Sequence, residues 1–268
     1  MGTGVEGEVE RFMPKKKQRR KSRSASIFVP VSALLILIIT VYGVSVFTKA
    51  NVIEVNGASK YSVEEIVTAS GFVRGDNLLF MDTRTAERNI QTILPYISEV
   101  SIVTELPDTI RMNVTESTAL ATLRYRNAVL VIDSSARIVE IVAYEEFQTK
   151  GLIEIRGFTP TGADLGSRLR ADQVDESQLR YLRDMLAAVE REGFEDIVTY
   201  IDVSNIVNIT FDYTDRFRII LDSPNNIRQN MSTLTEAVEK LKEEITPGVA
   251  GTIRRSDVRS DWKWSEDR

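Results

Sequence analysis

The chain has 268 residues, 34 of them basic and 39 acidic, with no cysteine and no histidine. That inventory excludes a disulfide framework, a thiol nucleophile and Cys-ligated zinc, and it removes the usual imidazole base and the commonest transition-metal ligand. The 43% apolar and 27% charged fractions are those of a globular chain, long enough for one large domain or two small ones.

The net charge of −5 hides an asymmetry. Residues 1–26 carry eight basic side chains (Arg11, Lys15, Lys16, Lys17, Arg19, Arg20, Lys21 and Arg23) against Glu6, Glu8 and Glu10, which gives +5. Residues 27–47 carry no charge, and the remaining 221 residues hold 26 basic and 36 acidic groups, which gives −10. A basic tail, an uncharged block and an acidic body are the pattern of a membrane protein with one crossing.

The block 27–47 reads IFVPVSALLILIITVYGVSVF, with fourteen Ile, Leu, Val or Phe among its 21 residues. As a helix it is about 31 Å long, close to the hydrocarbon thickness of a bilayer, and those residues favour insertion by roughly 4–8 kcal/mol. Pro30 falls in the first turn, where its missing N–H costs nothing. The alternative, a cleaved signal peptide, has a shorter apolar region and small residues before its cleavage site; residues 47–50 offer no A-x-A pattern. The basic run Lys15, Lys16, Lys17, Arg19, Arg20, Lys21 and Arg23 lies on one flank only, so the positive-inside bias puts the N-terminus in the cytoplasm and residues 48–268 outside. An anionic-lipid contact or nucleic-acid binding are rival uses of that run, the second without a folded basic surface to support it.

Beyond the block, 52–55 is a short strand ending in the turn Asn56-Gly57. Ser62-Val63-Glu64-Glu65 fits a capping box ahead of a helix with Ile66, Val67 and Ala69 on its apolar face and Gly71 as terminator. Asp82 caps a second helix with Ala86, Ile90, Ile93 and Leu94 at helical spacing, limited by Pro95. Val100, Ile102, Thr104 and Leu106 alternate on one strand, Pro107-Asp108 turns the chain, and Ile110, Met112 and Val114 continue on a second. The order is β-α-α-β-β.

The segments V-I-E-V-N-G (52–57), S-V-E-E-I (62–66), G-x-x-x-G-x-N-L (71–78), L-P-Y-I (94–97) and L-P-D-T-I-R-M-N-V-T-E (106–116) together resemble the POTRA domain of the FtsQ/DivIB family of bitopic bacterial cell-division proteins. The resemblance covers the tail, the anchor and the POTRA region well and the remainder more loosely.

From Ala119 the chain is mostly strand: 120–125, 129–133 and 138–142, with a turn at Asp133-Ser134-Ser135-Ala136 where the family usually has a glycine. A strand at 152–155 and a loop at 157–166 follow. A helix is predicted over 175–191 from Leu179, Leu182, Leu186 and Val189, then strands at 197–203, 207–211 and 217–221. Ser223-Pro224 starts a last helix whose face is Ile227, Met231, Leu234, Val238, Leu241 and Ile245, closed by Pro247-Gly248. That stripe suits core packing, with docking of a partner helix as the alternative. A last strand is predicted over 251–258, then a polar tail.

The strand–helix–strand–helix–strand order resembles the FtsQ/DivIB β-domain, and the resemblance implies that the terminal strand lies at a sheet edge and takes up an extended segment of FtsB/DivIC. The matching residues are Thr252, Ile253, Arg254, Arg255, Asp257, Val258 and Arg259, with Arg254 where the family more often has Asp. On that reading Arg254, Arg255 and Arg259 meet acidic residues of the partner; otherwise the same cations keep a lone edge soluble. Trp262 and Trp264 either anchor a partner or belong to a frayed tail.

Catalytic signatures are weak. Ser260-Asp261-Trp262-Lys263 matches S-x-x-K, but a penicillin-recognising enzyme needs a helix start there and later S-D-N and K-T-G elements. No calcium loop, phosphate loop or nucleophile elbow occurs, and the sequons at Asn113, Asn208 and Asn230 read as coincidence. The expectation is an α+β protein: a basic cytoplasmic tail (1–26), one transmembrane helix (27–47), a POTRA domain (48–118), a mixed α/β domain with a largely antiparallel sheet (119–258) and a polar tail (259–268). The resemblance implies a non-enzymatic scaffold of the septal ring without cofactor, holding FtsB/DivIC-like and FtsL-like partners at the division site. Alternatives are another single-pass POTRA assembly protein of the envelope, or an anchored cell-wall enzyme.

Overall fold

The computed structural model describes residues 2, 25–147, 151–214, 216–222, 225–242, 245, 249–256 and 261–266. The chain divides into two units, Met1–Thr48 and Lys49–Arg268. The first holds α1 (Ala25–Phe47), a helix without a charged residue. Its apolar side chains are exposed all round, with Phe28, Val29, Leu34, Leu35, Ile36 and Ile39 each more than half accessible. Ser32 and Thr40 return their hydroxyls to the carbonyls of Val29 and Ile36, so they add no unsatisfied polar group. Among the described residues no helix is long and apolar enough to cross a membrane.

The second unit opens with a small α+β domain: β1 (Val52–Asn56), α2 (Val63–Ser70), α3 (Thr83–Ile93), β2 (Ile97–Glu105) and β3 (Thr109–Glu116). The sheet order is β1-β3-β2, with β1 parallel and β2 antiparallel to β3. The caps form as expected. Ser62 accepts from the Glu65 N–H while the Glu65 carboxylate accepts from the Ser62 N–H, Asp82 accepts from the Thr85 N–H, and Gly71 ends α2 in the left-handed region. Ile66 and Ala69 from α2 and Ala86, Ile90 and Leu94 from α3 pack on Ile102, Ile110, Met112 and Val114 of the sheet. Gly57 must lack a Cβ: at φ +88 an added carbon would overlap the Val114 carbonyl.

Glu116, at the end of β3, clasps the loop between β1 and α2. Its carboxylate accepts from the N–H groups of Ser59 (3.0 Å) and Lys60 (2.9 Å) and from the Ser59 hydroxyl (2.5 Å). Burial works against the charged form, but the bonds from Ser59, Lys60 and Tyr61 outweigh it and hold the carboxyl below its ordinary range. Bonds from Ser62 and Thr85 lower Glu65 and Asp82 in the same way. A carboxyl lowered by folding contributes stability that is present above its unfolded pKa and lost as pH falls through the folded one. The urea midpoint is therefore expected to drop between pH 6 and pH 3. Glu116→Gln should reduce that drop and cost about 1 kcal/mol at pH 7, the scale of hydrogen bonds at a partly exposed site; an unchanged pH profile in the variant contradicts the clasp.

The second domain is one nine-stranded sheet in the order β12-β11-β10-β9-β8-β7-β4-β5-β6. Its elements are β4 (Ala121–Tyr125), β5 (Ala128–Ile132), β6 (Ile138–Ala143), β7 (Ile153–Arg156), α4 (Glu176–Glu192), β8 (Tyr200–Asp202), β9 (Ile209–Tyr213), β10 (Phe217–Leu221), α5 (Ile227–Lys242), β11 (Gly251–Ser256) and β12 (Asp261–Glu266). Antiparallel joints predominate, and the parallel ones include β7–β8 and β10–β11, where α4 and α5 carry the chain between neighbouring strands. Leu179, Leu182, Leu186 and Val189 of α4 and Ile227, Met231, Leu234 and Val238 of α5 are buried in one core with Leu123, Leu130, Ile201, Phe211 and Ile219. Both helical stripes are core, as periodicity indicated.

Three expectations change. The turn at 133–136 works without glycine because Ala136 adopts φ +59 and the Asp133 carboxylate accepts from Ser135 and the Arg137 N–H. The strand expected over 197–203 shrinks to β8. The N–H groups of Thr199 and Tyr200 turn to the buried Asp212 carboxylate, and those of Ile197 and Val198 to the Phe194 carbonyl. The tail expected from 259 carries a strand, β12. Ser223, Pro224, Pro247 and Gly248, expected at the ends of the last helix, lie outside the described residues.

Candidate partner-binding edge

The two ends of the nine-stranded sheet differ in surroundings. At one, β6 lies against the first domain, with Glu140 accepting from the Tyr96 hydroxyl at 2.5 Å. At the other, β11 pairs in parallel with β10 (Phe217↔Gly251 to Leu221↔Arg255) and antiparallel with β12 (Gly251↔Glu266 to Ser256↔Asp261). The strand expected at the edge is thus one place inside it. Thr252, Ile253, Arg254 and Arg255 form part of an inner strand, and the outermost row of backbone N–H and C=O groups belongs to β12. Asp257, Val258 and Arg259 lie outside the described residues, as do Lys15, Lys16, Lys17, Arg19, Arg20, Lys21 and Arg23.

Alternation sends the side chains of β11 to opposite faces. Ile253 is fully buried opposite Trp264. Arg255, on the same face, donates to the Asn230 amide oxygen of α5 at 3.1 Å, and its guanidinium lies 5.4 Å from the Trp262 ring. Arg254 points the other way, into an ion pair with Asp222 at 2.5 Å. Of the three arginines expected to meet a partner's acids, Arg254 and Arg255 make these contacts within the chain.

Trp262 and Trp264 are two apart and partly buried against the core, and Trp262 lines a surface cavity together with Ala237, Lys240 and Leu241 of α5. Trp264 lies over Gly251. A Cβ on that glycine would come within 2.6 Å of the indole Nε1 and of the Ser265 carbonyl, so the bare backbone is what seats the ring. Among the described residues, the buried indole N–H groups of Trp262 and Trp264 and one carboxylate oxygen of Asp261 find no hydrogen-bond partner. Within S-x-x-K, Ser260 lies outside the described residues and Lys263 sits on a strand rather than in a first helical turn. Among the described residues no three acidic side chains gather closely enough to hold a metal ion.

Residues 48–117 match the family of the POTRA domain, FtsQ-type. The chain is 24% identical to the cell division protein DivIB of Clostridium botulinum (strain Hall), over 84% of this chain and 85% of that protein. The chain is thus similar to FtsQ/DivIB proteins over most of its length, with an FtsQ-type POTRA domain at 48–117. It is also 25% identical to DivIB of Clostridium acetobutylicum over 69% of this chain and 70% of the relative, and 28% identical to the cell division protein FtsQ of Corynebacterium glutamicum over 41% and 51%. The POTRA region is the small domain of β1 to β3, and β12 is the element that sequence reasoning missed. Its signal was present: Asp261-Trp262-Lys263-Trp264-Ser265-Glu266 alternates with period two, but its polar composition and terminal position read as a tail.

Proposed function

We propose that this protein is a non-enzymatic scaffold of the bacterial septal ring. On this reading it is held in the plasma membrane by residues 27–47 with its basic tail in the cytoplasm, and it links FtsB/DivIC-like and FtsL-like division proteins to septal peptidoglycan synthesis. The observation that carries the reading is an FtsQ-type POTRA domain beginning directly after an uncharged apolar helix. The uncharged block 27–47 has 21 residues, which as a helix measure about 31 Å against a hydrocarbon layer of about 30 Å. Apolar side chains exposed on every side of a helix call for an apolar surrounding, and the basic flank at 15–23 sets the orientation.

The partner is taken at the C-terminal end of the nine-stranded sheet. Strand addition suits that end: backbone N–H and C=O groups supply affinity to an extended segment, and alternate side chains supply specificity. The test uses the full chain in lipid nanodiscs and the ectodomain of the DivIC-like protein of the same cell. Deleting 251–268, which removes β11 and β12 together, is expected to lower affinity at least 100-fold. Unchanged binding after that deletion overturns the assignment of the site.

A further inference from the structure

We propose that the POTRA domain carries a second membrane-binding site of its own, in which the loop 72–81 and the turn 105–108 set apolar side chains into the outer face of the bilayer. The inference rests on the preceding reading, in which residues 27–47 lie in that bilayer. Three observations carry it. The first is a group of exposed apolar side chains on these two segments. Phe80 is 80% exposed, Val73 65%, Leu106 64% and Leu79 50%. Apolar side chains gathered in this way on a domain surface mark a binding site.

The second is where these side chains stand along the chain. Both segments are fastened by backbone bonds to residues 49–52. Lys49 is bridged antiparallel to Asn77, the Ala50 N–H donates to the Asp76 carbonyl at 2.8 Å, and the Ala50 carbonyl accepts from the Gly75 N–H at 2.8 Å. The Asp108 carbonyl accepts from the N–H groups of Asn51 (2.9 Å) and Val52 (3.1 Å). Both segments therefore hang from the start of β1. Lys49 is two positions beyond the last residue of the uncharged block, and two extended residues span at most about 7 Å. The headgroup layer on one side of a bilayer is about 5–8 Å thick. Chain connectivity alone thus keeps the loop within reach of the headgroups.

The third is how the segments are built. Leu78 turns into the core, while Leu79 and Phe80 stand out from it. The loop is held by its own bonds: the Leu79 N–H donates to the Asn77 side-chain oxygen (3.0 Å), the Phe80 N–H to the Asn77 carbonyl (3.1 Å) and the Val73 N–H to the Asp76 carboxylate (2.9 Å). The acids of the two segments are turned to the chain, Asp76 to Val73, Glu105 to Arg111 and Asp108 to the Asn51 amide. Lys49 and Arg74 are exposed. Apolar side chains with cations beside them suit the boundary between acyl chains and headgroups, where the cations meet lipid phosphates. A protein partner does not require that closeness to the anchor. Two attachments, anchor and patch, restrict the swing of the domain about the short link between them.

The experiment uses the full chain in vesicles of phosphatidylethanolamine and phosphatidylglycerol, with no other protein present. The chain has no cysteine, so Val73→Cys, Leu106→Cys, Glu99→Cys and Thr40→Cys each carry a single fluorophore. Glu99 is exposed near the opposite end of β2 and serves as the reference, and Thr40 reports on the anchor. A nitroxide near the headgroup end of the lipid chains is expected to quench the labels at 73 and 106 at least about threefold more strongly than the label at 99. Leu79→Ser with Phe80→Ser is expected to return the label at 106 to the level of 99, with the melting temperature unchanged. Quenching that survives this double variant, or labels at 73 and 106 quenched no more than at 99, overturns the inference. If the label at 40 is still quenched by a nitroxide deep in the chains, the preceding reading stands and the patch faces water or a protein. A label at 40 that no lipid nitroxide reaches brings down the preceding reading itself.

Discussion

Replacing Tyr96 with alanine is expected to destabilise the Lys49–Arg268 unit by about 3–5 kcal/mol, the range for removing a buried aromatic side chain, and to split its unfolding into two steps. Tyr96 is only 7% exposed and packs with Val131 and Val139, which belong to β5 and β6 of the second domain. Its hydroxyl donates to Glu140, and Lys60 lies 3.6 Å from the ring centroid. Burial, together with that bond to Glu140, raises the phenol pKa, so the donor keeps its proton at any physiological pH. Two further contacts cross the same boundary. Arg137 donates to the Gln91 carbonyl, and Gly166 approaches the carbonyls of Gln91 and Thr92 so closely that a Cβ would lie about 3 Å from them. Of the three buried residues that form this junction's apolar cluster, Tyr96, Val131 and Val139, Tyr96 is the largest. Calorimetry should show one transition for the wild type and two for Tyr96→Ala, whereas Tyr96→Phe, losing one hydrogen bond, should cost about 1–2 kcal/mol and keep a single transition. A Tyr96→Ala protein that melts as the wild type does would show that the two domains are not coupled through this side chain.

The second large effect is expected at Phe211. This residue has no exposed surface and lies in β9, opposite Ile201 of β8 and Ile219 of β10. The ring therefore sits under both helices near the middle of the sheet, where little can collapse into the space it leaves. Phe211→Ala should cost about 3–5 kcal/mol, seen as a lower urea midpoint with unchanged slope. Its neighbour Asp212 faces the other way and fixes β9 against the chain leading into β8 through the Thr199 and Tyr200 N–H groups. A loss below 1 kcal/mol would mean that the core does not centre on this strand.

Much of this arrangement was legible in the residues. The caps at Ser62 and Asp82 and the faces of α4 and α5 follow from local rules, namely hydroxyl or carboxylate partners for free N–H groups and apolar residues every three or four positions. What escaped depended on contacts far along the chain. The short β8 follows from the reach of Asp212 to Thr199, which no local pattern announces. Ala136 takes a left-handed conformation because Asp133 supplies the bonds that hold it, a role expected of glycine. At the candidate edge, counting cations suggested arginines facing a partner. Their contacts within the chain, Arg254 with Asp222 and Arg255 with Asn230, depend on residues 25–32 positions away, and the position beside β11 goes to a segment whose two tryptophans read as a tail.

The most direct test of the central claim is where the protein resides in a growing cell. A fluorescent protein fused to the N-terminus, expressed from the native locus, is expected to form a band at midcell that appears before constriction and narrows with it. The band should persist when Lys49–Arg268 is intact and fade when 251–268 is removed. Even fluorescence around the whole envelope, in cells that divide normally on the fusion as their sole copy, would contradict a scaffold of the septal ring.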